Sequence, residues 1–152
     1  IKIPFYPVPM TMQTLVVLFL GITFGWKLGI GIITLYLFEG IIGLPVFSGT
    51  PEKGLGLVYF TGPTMGYLIG FIVTCFLAGK FRYGKNFFMN FIKLTFAISF
   101  IYIFGIIWLG SLMGWDKPLF KLGVEPFLLA ELLKILIMTF LVAKLQKIKK
   151  YI

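Results

Sequence analysis

The sequence predicts an all-α bundle of membrane-crossing helices, on three observations. Of the 152 residues, 59% are hydrophobic and only 12% are charged, about half the charged share of a soluble domain. The apolar residues gather in runs close to the roughly 20 residues that cross a bilayer core as a helix. Most of the 14 Lys and Arg lie outside those runs or at their ends, as expected for residues that set topology. A soluble chain of this length could not hide so much apolar surface from water. The formal charge of +9 is therefore read as topology signal and not as a nucleic-acid footprint. A single integral membrane domain over 1–152, in contact with lipid, is expected.

Five apolar segments follow in order. The first covers 12–24 and is short, ending at Trp26-Lys27. The second covers 28–44 and stops at Pro45. Almost nothing joins them, so they form either one broken helix or a tight helical hairpin. The 33 residues of 12–44 are too many for one span, which favours the hairpin. Gly21, Gly25, Gly29 and Gly31 weaken helix propensity there but allow close packing. The remaining segments cover 64–81, 87–109 and 126–145, each long enough to cross.

If the five spans alternate, Lys27, Lys80, Arg82, Lys85, Lys144, Lys147, Lys149 and Lys150 share one side. Lys2, Lys53, Lys117 and Lys121 lie on the other, offset by Glu52, Asp116 and Glu125. The positive-inside rule puts the first group, and the C-terminus, in the cytoplasm. Two loops then face outward, 45–62 and 110–125. The first is apolar and Gly-punctuated, with Val46, Phe47, Leu55, Leu57, Val58, Tyr59 and Phe60. A linker would be polar. Such a segment either packs on the helix ends or folds over something bound beneath it.

Four ionisable residues fall within spans: Glu39, Lys93, Glu131 and Lys134. A charge at the bilayer centre costs about 2.5–3.5 kcal/mol on insertion scales and so finds a partner or a route to water. Lys93 is near the cytoplasmic end of its helix and can snorkel. Glu131 and Lys134, spaced i, i+3, share a helix face. With Glu39 they reach the outer leaflet, below the apolar loop. They form either a structural ion pair or a polar cluster that orients a small amphiphilic ligand. Thr11, Gln13 and Thr14 stand at the outer mouth of the first segment, and a buried Gln amide needs partners. Gly62-Pro63-Thr64 opens the third segment, with Pro63 suited to a helix's first turn and Tyr67 one turn further on.

The sequence excludes most catalysis. There is no His and one Cys, Cys75, so there is no imidazole base, thiolate metal site or disulfide. No P-loop, no G-x-S-x-G and no H-E-x-x-H occurs. No cofactor and no metal are expected.

Four stretches in order carry a family resemblance: PVPMTMQTL (7–15), GLPVFSG (43–49), GPTMGYLIGF (62–71) and PFLLAELLK (126–134). Together the chain resembles the BioY family, the biotin-specific substrate-binding (S) components of energy-coupling factor (ECF) transporters. The resemblance implies six transmembrane helices in a plasma membrane, with the ligand pocket near the outer side, and a first helix ahead of the present residue 1. It implies biotin as transported ligand and, as partners, a membrane coupling protein and ATPase subunits that supply the energy. Transport would follow from reorienting the loaded bundle. By the same resemblance Glu131 and Lys134 lie in the biotin pocket, with Glu131 where the family usually has Asp. Gly62, Thr64 and Tyr67 match the central motif, in which Met65 replaces a usual Gly. Thr11 and Gln13 match the first motif, and no role passes to Glu39. Biotin's ureido N–H groups suit a carboxylate such as Glu131, while Lys134 pairs with Glu131 or with the ligand's tail. Tyr67, Phe47 and Phe60 would cover the rings. The rival readings are a subunit for another vitamin and a membrane scaffold without ligand.

Overall fold

The computed structural model describes residues 2–3, 8–48 and 54–148. It opens with a two-residue antiparallel ladder, β1 (Lys2–Ile3) on β2 (Met10–Thr11). Six helices follow: α1 (Gln13–Ile41), α2 (Leu57–Phe60), α3 (Met65–Lys80), α4 (Phe87–Met113), α5 (Leu119–Gly123) and α6 (Leu128–Ile148). A 3₁₀ turn, Glu125–Phe127, leads from α5 into α6.

The hydrogen-bonded run of α1 is broken at Gly25, whose φ of 77° and ψ of 173° belong to a region that only glycine adopts readily. There the chain reverses. The Gln13 amide meets the Tyr36 hydroxyl, and a Cβ at Gly29 would lie 3.5 Å from the Cα of Gly21. Residues so far apart in sequence meet only if α1 is an antiparallel hairpin with arms 13–24 and 26–41. The tight hairpin is thus found, and a single broken span is excluded. With α3, α4 and α6 the arms make five crossing elements. α4 and the 119–148 run are long and apolar enough to cross a membrane alone. The first arm, about 18 Å at 1.5 Å per residue, is shorter than a bilayer core of about 30 Å.

Close approach comes from small residues. A Cβ at Gly66 would sit 2.3 Å from the Phe104 carbonyl, and one at Gly70 would sit 2.5 Å from the Ile101 Cα. This Gly-x-x-x-Gly stripe lets α3 lie directly on α4. Cys75 is fully buried against Gly29.

The core has two layers. The inner one holds Leu18, Ile22, Ala78, Leu94, Ile98, Met138 and Val142. The outer one is aromatic, with Phe47, Tyr59, Tyr67, Phe71 and Phe127 around Ile101 and Leu109.

The ends of the elements differ from expectation in two places. α4 runs on to Met113, four residues past the expected 109. The expected 110–125 loop is mostly structured, because α4, α5 and the 3₁₀ turn occupy much of it. The 45–62 segment carries α2 and is packed, with Phe47 and Tyr59 buried.

Candidate functional site

Under that segment lies a narrow cavity of about 50 Å³. The end of β2 and the start of α1 line it with Thr11, Gln13 and Thr14, and the outer segment with Ser48 and Tyr59. α3 adds Thr64, Tyr67 and Phe71, α4 adds Tyr102, and α6 adds Glu131. It adjoins an outer cleft of about 380 Å³ that shares Thr11, Gln13 and Ser48.

Glu131 and Lys134 sit in the first two turns of α6, each 4% exposed. Their salt bridge is 2.8 Å, between Lys134 Nζ and Glu131 Oε1. The ammonium also donates to the Thr11 carbonyl at 2.6 Å and to Thr14 Oγ1 at 3.0 Å. Thr14 in turn donates to Glu131 Oε1 at 2.8 Å. All three donor positions of the ammonium are thus committed inside the protein. Lys134 stands behind Glu131 and does not line the cavity. Glu131 Oε2 is buried without a hydrogen-bond partner among the described residues. The Tyr102 phenol lies beside the carboxylate and interacts with it, without a well-formed hydrogen bond to Oε2.

The other side chains are fixed by the protein itself. The Gln13 amide donates to the Tyr36 hydroxyl and accepts from Thr11 Oγ1 at 3.0 Å, pinning the two arms of α1 at their outer end. The Tyr67 hydroxyl donates to the Gly123 carbonyl at 2.8 Å, tying α3 to α5. The Tyr59 hydroxyl donates to the Ser48 carbonyl at 2.9 Å. Burial holds the Tyr59 phenol above its ordinary pKa, with Thr64 on the same group pulling the other way, so it stays a neutral donor.

Of the residues singled out from sequence, Thr11, Gln13, Thr64, Tyr67 and Glu131 meet at the cavity wall, and Thr14 joins them. Phe47 lies one layer behind. It stacks on Tyr59 at 4.7 Å and lines the outer cleft. Its ring fills the space over Gly40, where a Cβ would come within 2.0 Å of it. Phe60 packs edge-on against Phe47 at 5.3 Å and is likewise not in the wall. Gly62 is also outside it, and its carbonyl accepts from Trp108 Nε1 at 2.9 Å. Glu39 shares the outer end with Glu131 and Lys134 but not their cluster; it is half-buried and makes no ion pair among the described residues. Lys93 reaches the Arg82 carbonyl at 2.6 Å.

Sequence reading missed Ser48, Phe71, Tyr102 and Phe127 in the wall, and saw Tyr59 only as part of an apolar loop. Ser48, Phe71 and Phe127 do lie in the stretches GLPVFSG, GPTMGYLIGF and PFLLAELLK that carry the family resemblance, which was the available signal; Tyr102 had none.

A model described as the BioY family matches residues 1–151. The chain belongs to the BioY family. Among BioY relatives, a probable biotin transporter BioY from Pyrococcus horikoshii is 36% identical over 134 residues, covering 88% of this chain and 78% of that protein. A biotin transporter BioY from Thermotoga maritima is 31% identical over 150 residues, covering 98% and 87%. A crystal structure of the S-component for biotin from an ECF-type ABC transporter superposes with a TM-score of 0.80 at 29% identity, covering 96% of this chain and 80% of that one.

Proposed function

We propose that this chain binds biotin and carries it through the membrane as the substrate-specific component of an ECF-type transporter. It acts as a transport protein and not as an enzyme. The observation that carries the site is Glu131 Oε2, a buried carboxylate oxygen on a cavity wall with no partner among the described residues. Leaving such an acceptor unpaired costs at least about 1–3 kcal/mol, more for a charged group. A ureido N–H removes that cost, and a ligand lacking it does not. The cavity alone is below the roughly 300 Å³ of a typical small-molecule site, so the ligand spans cavity and cleft. The ring head sits on Glu131, against Tyr67, Tyr102 and Phe127, and the tail points past Thr11 and Gln13 into the cleft.

The residues divide by role. Glu131 is the acceptor, while Lys134 and Thr14 hold its other oxygen and fix its rotamer. Thr64 and Tyr67 bound the head, Phe47 supports Tyr59, and Gly62 anchors the start of α3. The chain takes its energy from a membrane coupling protein and ATPase subunits. It lies in the plasma membrane, in contact with lipids and not with nucleic acid, with its C-terminus in the cytoplasm.

The test is titration of the full-length gene product with biotin in detergent, beside the double variant Glu131→Gln/Lys134→Met. Both charges leave together in that variant, so the fold keeps its melting temperature. The parent binds saturably, and the variant loses at least tenfold in affinity, the worth of a charge-assisted hydrogen bond. A folded parent that does not bind biotin overturns the proposal. Equal binding by the two proteins overturns the site.

A further inference from the structure

Two unpartnered polar atoms face the same cavity. One is Glu131 Oε2; the other is Ser48 Oγ, buried and without a hydrogen-bond partner among the described residues. A third, Thr23 Oγ1, is not in the wall. Ser48 is held in place from three directions. Its carbonyl accepts from the Tyr59 hydroxyl. Its neighbour Phe47 is stacked on Tyr59 and set edge-on against Tyr36 at 5.1 Å. The Phe47 ring occupies the gap left by Gly40. The hydroxyl is thus presented to the cavity by a fixed backbone.

Four other hydroxyls of the wall donate within the protein. Thr11 donates to Gln13, Thr14 to Glu131, Tyr59 to Ser48 and Tyr67 to Gly123. Thr64 lies beside the Tyr59 phenol and Tyr102 beside the Glu131 carboxylate. Among the described residues of the wall, Ser48 Oγ is the hydroxyl, and Glu131 Oε2 the carboxylate oxygen, that is buried without a hydrogen-bond partner. A cyclic urea presents the complement, N–H donors beside a carbonyl acceptor.

We infer that Ser48 is a specificity-determining residue whose hydroxyl donates to the ligand's ureido carbonyl oxygen while Glu131 accepts from a ureido N–H. This rests on the biotin reading above. It also makes the outer segment a direct reader of the ligand and not only its cover. The hydroxyl does nothing for the empty protein, because a buried donor without a partner destabilises its own fold. Its removal therefore has opposite signs in the two states.

The experiment compares the full-length protein with Ser48→Ala and, as a control for the site, Glu131→Gln/Lys134→Met. Biotin affinity and the melting temperature without biotin are measured for each. Ser48→Ala is expected to melt at the same or a higher temperature and to bind biotin about tenfold more weakly, one hydrogen bond's worth. Unchanged affinity in Ser48→Ala, with binding still lost in the double variant, overturns the role of Ser48 and leaves the biotin site standing. A lowered melting temperature in Ser48→Ala marks a structural hydroxyl and overturns it too. A folded parent that fails to bind biotin overturns both proposals.

Discussion

At the scale of single residues, the buried pair of α6 gives a non-additive prediction. Glu131 and Lys134 are tied to each other and to Thr14. Removing one partner strands a charge in an apolar interior, which costs about 3–5 kcal/mol, whereas removing both is close to neutral. Lys134→Met alone should therefore lower the melting temperature in detergent steeply, and adding Glu131→Gln should restore most of it. A double variant whose loss of stability equals the sum of the losses in Lys134→Met and Glu131→Gln would show that the pair is not coupled. The i, i+3 spacing made this pair legible in the sequence, as did the polar residues Thr11 and Gln13 in an apolar run. Which oxygen of Glu131 stays free was not legible. That depends on Lys134 and Thr14 both choosing Oε1, a choice made by packing between α1 and α6 across 117 positions of sequence.

At the scale of elements, the glycines of α1 look alike in sequence and differ in the fold. Gly25 makes the reversal with a positive φ and an extended ψ. Gly31 is exposed, and a Cβ there would meet nothing within 4 Å. Gly25→Ala should destabilise by about 1–3 kcal/mol through backbone strain. Gly31→Ala should be neutral or stabilising by up to about 1 kcal/mol through helix propensity. Thermal melting of the two variants checks this, and a Gly31→Ala variant that melts as low as Gly25→Ala would refute the hairpin geometry. Composition located the hairpin because a mostly apolar stretch of 33 residues overruns one bilayer. It could not say which glycine turns, since four of them stand within 11 positions. The 110–125 segment reads as loop in the sequence because it joins the fourth and fifth apolar runs, yet α4 continues through Gly110. There Trp115, just past the helix end, packs back over the bare glycine backbone, a local contact that outweighs the weak helix propensity of Gly110.

At the scale of the whole molecule, the fold sorts charge by end. The turn at Gly25 lies beside Gly79, and the Gln146 amide faces the backbone of Tyr83. Lys27, Lys80, Arg82, Lys85, Lys144 and Lys147 therefore share one end. Lys149 and Lys150, also assigned there by alternation, fall outside the described residues, as do Glu52 and Lys53. Every described acidic residue, Glu39, Asp116, Glu125 and Glu131, lies at the other end, where the cavity opens. Positive charge resists transfer across the membrane during insertion, so the proposed orientation keeps the basic end in the cytoplasm and turns the cavity outward. The single native cysteine makes this directly measurable. Cys75 is 0% exposed, so it is silent to a membrane-impermeant thiol reagent. Lys117→Cys, at an exposed position of the cavity end, should label in intact cells. Lys85→Cys, exposed at the basic end, should label only after the membrane is opened. The reverse pattern would invert the bundle and turn the cavity to the cytoplasm. Its substrate would then have to be captured from the inside, which an uptake protein cannot do.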